Sequence, residues 1–189
     1  MKYDLTILCN LMKRPMYGYE LKKVIERTLV TCDTTGTGFS SSMIYPSLAQ
    51  FEQQGYIKKE VQLQAGKPNR NTYEMTEAGR QFFYDFVNDI TSKTVHDREL
   101  FYYRLTCFEY LTERSRKKLL SGRRKYLEEG LFYLQGEEED GKDPCREDLR
   151  EFTRALAELE LRHIAFFEDH IAAPCVVPIE ARNRIDAVS

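Results

Sequence analysis

Few residues in this 189-residue chain have the type and spacing for chemistry. Glu160 and His163 stand three apart, the ExxH spacing by which a helix face offers a carboxylate and an imidazole to a di-iron centre. Such a centre needs a second pair and further glutamates, and the sequence holds no second pair. A packed, hydrogen-bonded role is therefore expected for His163, and likewise for His170. The five cysteines, at 9, 32, 107, 145 and 175, are odd in number and form no CxxC, which argues for reduced thiols and against a sequence-local zinc site. Cys107 falls within the apolar stripe from Leu105 to Phe108 and reads as buried; a redox-responsive use of a cysteine needs an exposed, electropositive thiol and is kept as an alternative. There is no phosphate-binding glycine loop, no nucleophile motif and no metal constellation, so neither catalysis nor a cofactor is expected. What remains is a run of hydroxyls, Ser40, Ser41 and Ser42, and two cations, Lys67 and Arg70, beside a Gly-Lys-Pro turn. Hydroxyls and helix N-terminal amides suit phosphate oxygens, and long cations suit phosphate and a narrow groove.

Charge is distributed in the same sense. The chain as a whole carries 28 Lys/Arg and 30 Asp/Glu, a net of -2. Residues 1–80 hold eleven basic and eight acidic side chains, whereas residues 81–189 hold seventeen and twenty-two. A small basic module joined to an acidic extension is the expectation. The amino terminus does not have the form of a signal peptide, and no apolar run approaches the roughly 18 residues that span a bilayer, so a cytoplasmic location without membrane contact is expected.

The elements that must position these groups follow from hydrophobic period. Leu5, Leu8, Cys9 and Met12 have helical spacing, ended by Pro15. After a turn over Pro15–Gly18, Leu21, Val24 and Ile25 form the stripe of a second helix, with Lys22, Lys23 and Arg27 on its solvated side. The Ser40–Ser42 run caps a third helix bearing Ile44, Leu48 and Phe51, and Pro46 sets its start near Ser42. Gly55 closes it. The period then becomes two: Ile57, Val61 and Leu63, then Asn71, Tyr73 and Met75, predict a β-hairpin. Thr76 caps a fourth helix carrying Phe82, Phe83, Phe86, Val87 and Ile90. Leu100, Phe101, Leu105, Phe108 and Leu111 predict a fifth helix, and Leu120, Arg123, Leu127, Gly130 and Leu134 a sixth. A polar interruption over 136–143 precedes Pro144, which starts a seventh. Along that helix Leu149, Phe152, Leu156, Leu159, His163, Phe166 and His170 alternate by three and four, the spacing of a helix-helix seam.

Three helices followed by a two-stranded hairpin form a winged helix-turn-helix, in which the third helix enters the major groove and the hairpin reaches phosphate or the minor groove. The segments Pro15-Met16-Tyr17-Gly18-Tyr19-Glu20-Leu21, Ile44-Tyr45-Pro46-Ser47-Leu48 with Glu52 and Gly55-Tyr56-Ile57, Gly66-Lys67-Pro68, and Tyr73-Glu74-Met75-Thr76-Glu77-Ala78-Gly79 resemble the PadR family of bacterial transcriptional regulators, in order and spacing, over about the first ninety residues. The long acidic half is similar to the larger type in that family. The resemblance implies a mainly α fold, a winged helix-turn-helix domain (1–92) followed by an α-helical dimerisation arm (93–171) and an extended or disordered tail (172–189).

The same resemblance implies a repressor that reads an inverted-repeat operator in double-stranded DNA as a homodimer and is released by a small effector. DNA contacts are expected from Tyr17, Ser40, Ser41, Ser42, Tyr45, Ser47, Lys67 and Arg70, although a tyrosine is also an ordinary half-buried core residue and a serine an ordinary cap. Leu149, Phe152, Leu156, Leu159, His163 and Phe166 are expected to pair two subunits. Phe83, Phe86, Phe101 and Phe108 are expected to line a pocket between arm and DNA-binding domain for an aromatic or phenolic effector. The absence of tryptophan excludes the stacked tryptophan sandwich of the drug-binding subgroup. A winged helix serving only as a protein-interaction module, without DNA binding, is the remaining alternative.

Overall fold

The computed structural model describes residues 2–32, 44–62, 70–136 and 143–173. Ser40, Ser41, Ser42, Leu63, Lys67 and all but the first two residues of the expected tail lie outside these. Helix α1 (Lys2–Lys13) buries Leu5, Ile7, Leu8 and Leu11 and packs on neighbours from both halves of the chain. After it come β1 (Met16–Tyr17), α2 (Gly18–Cys32), α3 (Ile44–Gln53), β2 (Ile57–Gln62), β3 (Arg70–Met75) and α4 (Glu77–Asn88). The winged helix-turn-helix is therefore present, and Pro46 lies within the first turn of α3, where its missing N–H breaks no helical hydrogen bond.

Two features of the wing depart from the expectation. Residues 16 and 17, read as a turn, form a strand antiparallel to β3, with Met16 opposite Tyr73 and Tyr17 opposite Thr72. The sheet order is β1-β3-β2, so β3 is central. A two-residue strand is too short to show a period, and a short edge strand also limits open sheet edge. Val61, expected to alternate inward with Ile57, is exposed, and Ile57 is the sole buried residue of β2. Among the described residues of the hairpin, Ile57, Tyr73 and Met75 are the buried ones.

The expected fifth helix is α6 (Arg98–Leu105) followed by a 3-10 turn over Phe108–Tyr110, and a short helix that was not expected, α5 (Ser92–His96), precedes it and stays separate from it. The cause is capping. Thr91 and Thr94 form a reciprocal capping box at the start of α5, and Asp97 ends α5 while its carboxylate accepts from the Leu100 amide at 3.1 Å to open α6. α7 (Glu113–Gly136) and α8 (Pro144–Glu168) then pack against each other; Asp143 caps α8 and Pro144 occupies its first turn, as expected. The buried side chains form one hydrophobic cluster running from α1 through α4 and α6 into α7 and α8, continuous across residue 92.

α8 carries two parallel stripes. The one facing α7 is Ala157, Glu160 and Ile164, with Phe167 and Ile171 partly buried behind them. The expected seam is the adjacent one: Leu149, Phe152, Leu159 and Phe166 are 55–63% exposed, Leu156 is half-buried and His163 is exposed. The described chain leaves that apolar stripe uncovered.

Candidate nucleic-acid interface and interdomain cavity

The amino-terminal turn of α3 is held by contacts to α1 and to the β1-α2 junction. Ser47, expected to touch DNA, instead donates its hydroxyl to Asp4 Oδ1 of α1 at 3.0 Å, so it fastens α3 to the core. Tyr45 points outward and is half exposed, with its ring against Gly18 at the start of α2. Tyr17 donates its hydroxyl to Gln62 Oε1 at the far end of β2 (3.3 Å), and the Arg70 guanidinium lies 5.7 Å from the Tyr17 ring centre. Tyr17 and Arg70 thus meet on the wing, and Tyr45 of the third helix lies against Gly18, the residue next to Tyr17. Tyr19, exposed beside them with Lys23 Nζ 4.9 Å from its ring centre, was not singled out by spacing because it lies off the apolar stripe. Arg14 pairs with Glu20, Lys22 with Glu26 and Lys58 with Glu74, whereas Arg70 is exposed and pairs with no carboxylate among the described residues.

The base of the wing explains two sequence motifs. Gly55 adopts φ +75° and closes α3, a conformation that favours glycine. Thr76 caps α4 by accepting from the Gly79 amide at 3.0 Å and donates to the Gly55 and Tyr56 carbonyls at 2.7 and 3.0 Å. A Cβ on Gly79 would lie 1.9 Å from the Tyr56 carbonyl oxygen, so Gly79 is what lets α4 abut the α3-β2 turn.

The four phenylalanines expected to line an effector pocket do not share one. Phe83 and Phe101 are fully buried in the core, Phe83 edge-on to Tyr110 and Phe101 beneath the Arg123 guanidinium. Phe108 packs on Phe167 and Arg116. Phe86 borders a cavity of about 340 Å³, between Leu5 of α1 and residues at α5 and α6 that include Asp97, Leu100, Tyr103 and Arg104. Spacing marks aromatics but cannot tell core from cavity wall. Arg104, which sequence reading passed over, is the distinctive lining group: it is buried, donates Nη2 to the Phe86 carbonyl at 2.9 Å, and leaves Nε without a hydrogen-bond partner among the described residues. Burial holds its pKa below the usual arginine value.

Glu160 is committed to a structural task. Its Oε1 accepts from Arg123 Nε at 2.7 Å, both side chains are buried, and Arg123 also donates to the Val95 and His96 carbonyls at 3.0 and 2.7 Å. Arg98 Nε lies 3.4 Å from Oε2, an ion-pair distance without hydrogen-bond alignment. His163 is exposed and packs on Phe167 and Tyr102, and His170 lies exposed with Nδ1 2.7 Å from the Phe166 carbonyl. No cluster of three metal-ligating side chains occurs among the described residues. Cys107 is fully buried, and contact with the Cys9 thiol, together with burial, pushes its pKa well above the ordinary thiol value, which disfavours the reactive thiolate.

The family model of the transcriptional regulator PadR-like family matches residues 7–85, from within α1 to within α4, and so takes in the third helix and the wing. Residues 7–85 belong to the PadR-like family. Its members are transcriptional regulators and not enzymes. Among solved structures, the putative transcriptional regulator TA0346 from Thermoplasma acidophilum is 34% identical over 43% of this chain and 71% of its own, with a TM-score of 0.35. Bacillus subtilis PadR in complex with operator DNA is 19% identical, covering 89% of this chain and 98% of its own (TM-score 0.42). The same protein with p-coumaric acid is 18% identical over 90% and 99% (TM-score 0.40). No curated protein matches the chain. No helix among the described residues is long and apolar enough to cross a membrane.

Proposed function

We propose that this PadR-like chain is a repressor that binds an inverted-repeat operator in double-stranded DNA as a two-fold dimer, with residues 1–92 reading DNA and residues 93–171 joining the subunits. The observation that carries the reading is that Arg70 meets half-buried Tyr17 on the wing while exposed Tyr45, at the start of the third helix, lies against Gly18, the residue that follows Tyr17. In a helix-turn-helix those are the groups that meet base edges and phosphates. Ser40, Ser41, Ser42 and Lys67 belong to the same proposed contact set by their place in the sequence; Ser47 does not, because its hydroxyl is taken by Asp4. The uncovered α8 stripe supports the dimer, as does a groove of about 390 Å³ lined by Leu127, Leu131, Leu134 and Ala157, which side chains of a second copy can fill.

Binding to DNA is tested by fluorescence anisotropy on a duplex selected from a random library and on a shuffled duplex, at three salt concentrations. Arg70→Ala should weaken both, and if each copy contacts one phosphate the slope of log K against log salt should become shallower by about 0.9 per contact, about 1.8 per dimer. Tyr45→Ala should fall mainly on the selected duplex, by roughly 1–3 kcal/mol for a good base contact. Salt-independent binding, or none, returns the chain to the protein-interaction alternative.

Release by an effector belongs to the same reading. The cavity beside Phe86 has the size of a small-ligand site, apolar side chains at Leu5, Phe86 and Leu100, and the Arg104 guanidinium in its wall, which suits an aromatic acid. Its position between α1 and the arm suits a ligand that alters how the DNA-reading domain sits on the dimer. Calorimetry with p-coumaric acid and its uncharged methyl ester is expected to show binding of the acid alone, lost in Leu100→Trp, which fills the cavity. Equal binding of acid and ester would remove Arg104 from the proposal, and no binding by a panel of aromatic acids would remove the site.

A further inference from the structure

Gly18 opens α2, and its backbone does not require glycine: among the described residues only Gly55 has a glycine-favouring φ. Its reason is space. A Cβ at Gly18 would lie 3.2 Å from Tyr45 Cε1 and 3.3 Å from Tyr73 Cε2, closer than ordinary carbon contacts of about 3.5–4.0 Å, with the Tyr45 hydroxyl at 3.7 Å. The two tyrosines cannot yield equally. Tyr73 is buried in the central strand and held by pairing on both sides, opposite Met16 and Lys59, whereas Tyr45 is half exposed on the first turn of α3. An added methyl group would therefore displace Tyr45. The bare α carbon of Gly18, set in place by the pairing of β1 with β3, is the seat on which the Tyr45 ring rests.

We propose that Gly18 is a specificity-positioning residue: the missing side chain fixes where the Tyr45 phenol projects from the third helix, and so which base or phosphate it meets. This rests on the DNA-binding reading above. The juxtaposition also ties wing to helix, because Tyr17, one residue earlier, reaches Gln62 and Arg70. A shift at this junction is thus felt at the third helix while the wing keeps its phosphate contact.

The test is a double-mutant cycle in the full-length chain, with anisotropy on the duplex selected by the wild-type protein and on its shuffled counterpart. Gly18→Ala is expected to lower affinity for the selected duplex about tenfold, the size of one misplaced base contact, while affinity for the shuffled duplex moves by less than about twofold. In a Tyr45→Ala background, adding Gly18→Ala should have no further effect. Persistence of the full loss in that background overturns the proposal, as does an equal loss on both duplexes or an unchanged ratio. Three-bond couplings of Tyr45 in the wild-type protein give a reading that does not depend on folding of the variant: one χ1 rotamer is expected, and rotamer averaging overturns the proposal. Absence of any wild-type DNA binding would sink the underlying reading together with this one, whereas normal wild-type binding with an unmoved ratio would sink this one alone.

Discussion

The full-length chain carrying Leu159→Glu and Phe166→Glu is expected to sediment as a monomer at micromolar concentration while keeping the helical content and melting temperature of the wild type. Both side chains are more than half exposed in the subunit itself, so a charge there should alter the fold by no more than surface substitutions usually do, about 0.5 kcal/mol. In the proposed dimer the same positions are buried against a second copy, and four carboxylates in one desolvated seam would not be tolerated. Operator affinity should then fall by about a hundredfold or more, because the second half-site is no longer bound intramolecularly. The neighbouring stripe supplies the control. Ile164→Glu, which places a charge against α7, should unfold the arm and lower the melting temperature. A double variant that remains dimeric would show that the subunits meet elsewhere.

The second large effect is expected at the buried ion pair. Removing one partner, as in Glu160→Ala, should cost about 3–5 kcal/mol in unfolding free energy, since Arg123 would keep its two carbonyl acceptors but lose its closest counter-charge. Replacing both, Arg123→Met with Glu160→Leu, should recover much of that loss, because burying two apolar side chains avoids desolvating two charges. Chemical denaturation of the three proteins measures the difference. If Glu160→Ala costs less than about 1 kcal/mol, within the range of exposed pairs, the pair is solvated and does not lock α5 to α7 and α8.

Local chemistry made much of this protein legible before its fold. Helical period and caps are properties of a few consecutive residues, so α1, α4 and α8 stand where Leu5, Thr76 and Pro144 indicate, and the change of period at Tyr56 marks the wing. The motifs around Gly18, Tyr45 and Gly79 are equally local and carried the family resemblance. The caps of α5 and α6, Thr91 with Thr94 and Asp97, are local as well, but the apolar stripe that marks the fifth helix begins at Leu100 and does not reveal α5.

Tertiary structure decided the rest, because period places a side chain on a face and says nothing about what lies opposite. Two stripes one residue apart on α8 are both regular; contact with α7 chooses Ala157, Glu160 and Ile164 and leaves Leu149 to Phe166 uncovered. Arg123 in an apolar stripe makes sense only when Glu160, 37 residues away, meets it. Phe83, Phe86, Phe101 and Phe108 look alike in sequence, and only packing across the junction of winged domain and arm puts Phe86 at a cavity and the other three elsewhere in the packing. β1 exists because β3 offers it an edge, and Ser47 faces Asp4 because α1 lies there. Each of these was set by a partner distant in the chain, and the free energy of such contacts depends on three-dimensional proximity, which no local pattern encodes.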